Sequence, residues 1–111
     1  MISRGDVWLA SLDPTKGTDG ERVVIVVSRD AINRNSPLLI VVPVAEKSDK
    51  KKIYPSQVVL AAGDGGLTLD SVALCELVRS IRSSRLVRQL GRLAPRAIVD
   101  LGAALKIALD L

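Results

Sequence analysis

Histidine is absent from this 111-residue chain, so chemistry must come from arginine, lysine, carboxylates and hydroxyls. Arg22 is the most suggestive of these, because it stands where the polar, glycine-bearing stretch DPTKGTDGE runs into the apolar run Val23-Val24-Ile25-Val26-Val27. A guanidinium held between a mobile loop and a rigid strand offers paired donors to a phosphate. The same placement also suits an arginine that lays its stem along a sheet edge and keeps its head in water. The second concentration is Ala45 to Lys52, AEKSDKKK, with four lysines against two acids. It reads as a basic hairpin tip or flexible loop, suited either to plain solubility or to RNA phosphates. Without histidine, zinc sites and Ser-His-Asp arrangements are disfavoured. The one cysteine, Cys75, has no partner for an internal disulfide and no histidine base, so it reads as a small buried apolar side chain.

A chain of this length makes one domain, residues 1–111, burying roughly two-thirds of its unfolded surface around a single core. Hydrophobic residues at 48% with 25% charged describe a soluble globular protein. No apolar run approaches the roughly 20 residues that cross a bilayer. The opening Met1-Ile2-Ser3-Arg4-Gly5-Asp6 places an acid where a signal peptide carries its apolar segment, so the expected address is cytoplasmic. A net charge of +4 and a pI near 9.6 favour an anionic partner, with RNA, DNA and an acidic protein all admissible. Trp8 and Tyr54 are the only aromatics, which argues against a binder built on stacked bases and leaves phosphate contacts to supply affinity.

The elements follow from period and punctuation. Val7 to Ala10 reads as a first strand with Trp8 and Ala10 on one face, ended by the Asp13-Pro14 turn. The β-branched run 23–27 is a strand buried on both faces, and Arg29 to Pro37 a surface loop opening on a helical turn. Leu38 to Val44 is a second buried strand, in which Pro43 marks a bulge, an edge or the end. Gln57 to Leu60 is a short strand, and Gly63-Asp64-Gly65-Gly66 a turn. Periodicity leaves Asp70 to Arg82 open between helix and strand. Arg79, Arg82, Arg85, Arg88, Arg92 and Arg96 would stripe a continuous helix, but Gly91 and Pro95 interrupt it. The preferred arrangement is a strand through Ile81, a turn at Ser83 to Leu86, a strand through Leu90 to Leu93 and a terminal helix from Pro95, its stripe Ile98, Leu101, Leu105, Ala108 and Leu109. The arginines then scatter over several faces. Several strands followed by one amphipathic helix suggest a mainly β fold, a compact, strongly curved antiparallel sheet or small barrel with the helix on one side.

The ordered blocks carry a resemblance. Gly5-Asp6-Val7-Trp8, Asp13-Pro14-Thr15-Lys16-Gly17, Arg22 opening a strand, Ser36-Pro37 before Leu39-Ile40-Val41-Val42-Pro43, Tyr54-Pro55 before Val58-Val59-Leu60, and Asp70-Ser71-Val72-Ala73-Leu74 with Arg79-Ser80-Ile81 together resemble the MazF/PemK family of toxin endoribonucleases. The resemblance implies an SH3-like barrel with a C-terminal helix, a homodimer, and a cognate antitoxin that lies across the RNA groove. It also implies cleavage of single-stranded mRNA without a metal or other cofactor. By position, the family's catalytic arginine is Arg22, followed here by Val23 rather than proline, and its threonine falls on Ala45, which has no hydroxyl. A glutamine of the later block is Leu77, and an aspartate of some members is Arg82.

Such cleavage lets a 2′-hydroxyl attack the adjacent phosphate, so a base, a proton donor and a partner for the phosphorane charge are needed. Arg22 would meet the charge. With Ala45 silent, the catalytic candidates beside Arg22 are Glu46 as base and Ser48 as a positioning hydroxyl. Lys16, Thr18, Ser28, Lys47, Lys50, Lys51, Lys52 and Arg79 are the expected RNA contacts. The alternative is a catalytically impaired binding module that sequesters an antitoxin or engages a topoisomerase, as CcdB-type toxins do.

Overall fold

The computed structural model describes residues 1–111, as a seven-stranded antiparallel sheet with two α-helices. In chain order the elements are β1 (Asp6–Ser11), β2 (Glu21–Val26), α1 (Asp30–Asn35), β3 (Leu38–Glu46), β4 (Gln57–Leu60), β5 (Ser71–Leu74), β6 (Arg79–Arg82), β7 (Leu86–Arg92) and α2 (Pro95–Leu109), with single 3-10 turns between several of them. The strand order is β4-β5-β3-β2-β1-β7, with β6 also on β3. β4 and β7 end the path without pairing to each other, so the sheet stays open.

Alternation along the central strands accounts for the continuous apolar runs. Val24 and Val26 of β2, with Leu39 and Val41 of β3, Ala10 of β1 and Ile81 of β6, form one buried cluster. Ile25, Val42, Val7 and Val27 join a second, which takes in Ala97, Leu101 and Ala104 of α2. Successive side chains point to opposite faces, so a strand covered on both needs apolar residues throughout.

β3 organises the molecule. One edge pairs with β2 through Val24↔Pro43, Ile25↔Val42 and Val26↔Val41. On the other edge Leu38–Val41 pair with β6 and Val44–Glu46 with β5. Pro43 falls in the gap between those two partners, where a missing amide costs that edge no ladder bond. This corrects the expected end near Val44: the strand runs on through Ala45 and Glu46, and only Lys47–Asp49 make the turn beyond it.

Other departures have local causes. Asn33, read as a loop residue, is buried, and its side-chain amide donates to the Ser28 carbonyl at 3.0 Å. Asp30, at the start of α1, accepts the Arg4 amide at 2.8 Å, and that bond chiefly lowers its pKa. The open stretch Asp70 to Arg82 resolves into β5, a 3-10 turn at Cys75–Leu77, and β6. In α2 Leu101 of the expected stripe is buried beside Ala97 and Ala104, and Ile98, Leu105 and Ala108 pack half-buried against the same core, whereas Leu109 is 52% exposed. Cys75 is fully buried in the helix-side core, and burial pushes its thiol up to about 11.

Candidate functional site

Arg22 is the second residue of β2, opposite Ala10 of β1, and is exposed. Its loop is shaped by Asp13, whose carboxylate accepts the Thr15 amide at 3.2 Å and hydroxyl at 2.6 Å, and by Leu12, whose amide donates to the Gly20 carbonyl at 3.0 Å. The Arg22 Nη1 donates to the carbonyls of Asp19 (2.9 Å) and Glu21 (2.7 Å), and no acid is paired with it. The loop therefore orients the guanidinium without neutralising it. The β2–β3 ladder stops at Val24↔Pro43; carried two residues further, its register would set Arg22 against Ala45.

Two adjoining cavities open at the end of β3. The larger, about 630 Å³, is lined by Glu46, Lys47, Ser48, Ala62, Thr68, Leu69 and Asp70. The smaller, about 380 Å³, is mostly aliphatic and takes in Ala45, Glu46 and Arg88. Glu46 closes β3 opposite Ser71 and borders both cavities. Asp70 fixes the facing wall, its carboxylate accepting the Ala62 amide at 2.8 Å and its carbonyl the Lys47 amide at 2.9 Å. Glu46, Lys47 and Ser48 thus share one concave surface, which Arg22 does not line.

The remaining expected contacts divide. Lys16 and Thr18 sit exposed on the 3-10 stretch Pro14–Gly20, Lys16 at 3.9 Å from Asp13. Lys51 and Lys52 are exposed and Lys50 half-buried, with the Lys52 ammonium 5.3 Å from the centre of the Tyr54 ring. Ser28 is corrected: it is 3% exposed, and its hydroxyl accepts the Ile40 amide at 3.1 Å and donates to Asn33. That hydroxyl ties β3 to Asn33 of α1, out of reach of a phosphate. Arg79 is exposed on β6 and lines a third cavity of about 230 Å³ with Arg82 and Arg85.

The arginines are less scattered than the sequence suggested. Arg79, Arg82 and Arg85 meet at one concavity, because the Ser83–Arg85 turn bends the chain back after β6. Arg92 instead pairs at 3.1 Å with the buried Asp6. Arg88 was the functional candidate that sequence reasoning passed over. Nothing in the pattern of Leu86-Val87-Arg88-Gln89-Leu90 singles it out, and only the β1–β7 register, with Arg88 opposite Leu9, sets it beside Glu46's cavity.

Comparison with known proteins adds lineage to this geometry. Residues 3–109 match the model of the PemK-like, MazF-like toxins of type II toxin-antitoxin systems. The chain is 39% identical over 118 aligned residues to the endoribonuclease MazF9 of Mycobacterium tuberculosis, covering 100% of this chain and 98% of that protein. It is 36% identical to the endoribonuclease MazF of Staphylococcus epidermidis, covering 100% and 93%. Among solved structures, MazF of Deinococcus radiodurans superposes with a TM-score of 0.74 at 27% identity, covering 100% of this chain and 97% of that one. A mycobacterial endoribonuclease solved with its cognate antitoxin gives a TM-score of 0.82 at 22% identity, covering 100% and 97%, a likeness of fold.

Proposed function

The chain belongs to the PemK-like, MazF-like toxin family of type II toxin-antitoxin systems, and from that premise we propose that it is a metal-free endoribonuclease cutting single-stranded mRNA. The observation that carries this reading is identity of 39% along the whole chain to an endoribonuclease of the same family. It outweighs the impaired binding module, whose support is the missing hydroxyl at Ala45.

In the proposed reaction Glu46 takes the proton of a 2′-hydroxyl, whose oxygen then bonds to the adjacent phosphorus. The bond from phosphorus to the 5′-oxygen breaks, that oxygen leaves with a proton from water, and the hydroxide so formed takes back the proton held by Glu46. The upstream fragment ends in a 2′,3′-cyclic phosphate and the downstream one in a 5′-hydroxyl. Arg22 does not line the cavity of Glu46 and Ser48, so it reaches the charge that builds on the phosphorane from outside that cavity, with the donors its loop leaves free. Ser48 positions the phosphate, while Lys16, Thr18, Lys47, Lys50, Lys51, Lys52 and Arg79 hold the strand. Exposure of most of these side chains, and the cavity lined by Lys47 and Ser48, support these assignments. No helix is long and apolar enough to cross a membrane. We place the chain in the cytoplasm as a single toxin domain, acting as a homodimer and restrained by a cognate antitoxin.

The test uses purified chain, free of antitoxin, with a long single-stranded RNA in chelator. New 5′-hydroxyl ends are expected, and Arg22→Ala should slow their appearance about 10²- to 10³-fold. Intact RNA at high protein concentration would sink the enzymatic reading in favour of the binding module.

A further inference from the structure

The smaller cavity shares Glu46 with the proposed reaction site, and none of its other lining residues has a role in the chemistry above. Its walls are Leu9, Val23, Val44, Leu67 and Leu90, with Arg88 the one cation on it. Arg88 is exposed on β7 and takes part in neither of the molecule's ion pairs, Lys16–Asp13 and Arg92–Asp6. A mostly aliphatic cavity lined by one unpaired guanidinium, with Glu46 its one acid, has the makings of a ligand site, apolar for contact area and polar at few points for orientation.

We infer that this cavity receives the base on the 5′ side of the scissile phosphodiester and that Arg88 reads it as guanine. Single-stranded RNA is read by splaying bases out of the strand, covering their faces and hydrogen-bonding their edges. Leu9, Val23 and Leu90 supply the faces. The guanidinium fork fits the O6 and N7 acceptors of guanine, whereas adenine sets an amino donor where O6 would be. The polarity rests on the endoribonuclease reading. Glu46 borders both cavities, so a nucleotide with its base in the smaller one brings its ribose to the Glu46 carboxylate. The strand on the 3′ side of the scissile phosphate then runs on toward Lys47 and Ser48 in the larger one.

The experiment compares RNAs identical except at that position, carrying guanine, 7-deazaguanine or adenine, with the fragment ends sequenced. The wild-type chain should cut after guanine about 10- to 100-fold faster than after adenine. Removing N7 should lose part of that preference. Arg88→Gln should still cut but without discrimination, and Arg88→Lys, which keeps the charge and loses the fork, should behave alike. Cleavage with no preference for guanine, or a preference that both variants retain, would overturn the inference and leave the endoribonuclease standing. Should no RNA be cut, the endoribonuclease reading fails by itself. The cavity is then tested by titrating guanosine monophosphate against adenosine monophosphate and following the Leu9, Val44 and Leu67 methyl resonances. Shifts specific to the guanine nucleotide and lost in Arg88→Gln support the inference, and their absence overturns it.

Discussion

Arg22 is held by its own loop rather than by an acid, which sets what substitution should do. Its side chain hydrogen-bonds only backbone carbonyls at an exposed site, so Arg22→Lys should leave the melting temperature unchanged within error. Cleavage should still fall by about 10-fold or more, because an ammonium cannot present the paired donors of a guanidinium to a phosphate. Cys75 is the opposite case, a side chain whose chemistry is suppressed by where it sits. Its folded thiol ionises at about 11, above its ordinary 9.0. Between those values the unfolded chain gives up the proton and the folded one keeps it, so stability is complete below pH 9 and falls as the pH rises toward 11. Urea midpoints measured across that window should decline in the wild type and flatten in Cys75→Ala. Alkylation of Cys75 should be negligible until the chain is unfolded.

Among the elements, β3 and the Gly63–Gly66 turn decide where the site lies. β3 reaches the cavities because it changes partner from β6 to β5 around Pro43, which carries Glu46 out beside Ser71. The glycine turn backs onto β7: a Cβ on Gly66 would lie 2.0 Å from the Leu90 carbonyl oxygen, at a φ of +78°. Gly66→Ala should therefore cost about 2–4 kcal/mol, lower the melting temperature by about 10 °C or more, and disturb the wall that carries Arg88 and Leu90. Gly17→Ala is the control. Gly17 has a φ of +56° but open space around it, so the cost should stay at about 1–2 kcal/mol. On α2, Leu101→Ala should cost about 2–5 kcal/mol by urea unfolding, since that side chain is buried in the helix-side core.

For the whole molecule, the excess positive charge is a statement about partners and rates. The exposed Lys51 and Lys52 should each account for about 0.7 to 1 unit of the salt slope of RNA binding, measured on a non-cleavable 2′-methoxy strand. Glutamine at both positions should flatten the slope without altering which sequence is cut, because phosphate contacts carry no base information. Much of the architecture was legible beforehand. The run at 23–27 had to be a strand covered on both faces, Pro95 had to open a helix, and Cys75 had to be buried, since each follows from side-chain shape, period or a missing chemical partner within a few residues; the run at 38–44 is a strand too, but Leu38 and Ile40 leave its first half exposed on one face. The ordered blocks from Gly5 to Ile81 also carried the family. Hidden were the results of long-range register: Ser28 turned inward onto Asn33 and Ile40, Arg79, Arg82 and Arg85 gathered at one concavity, and Arg88 set beside Glu46. Local pattern says which way a side chain alternates, but which strand lies opposite it is settled only when distant segments compete to bury the same apolar surface.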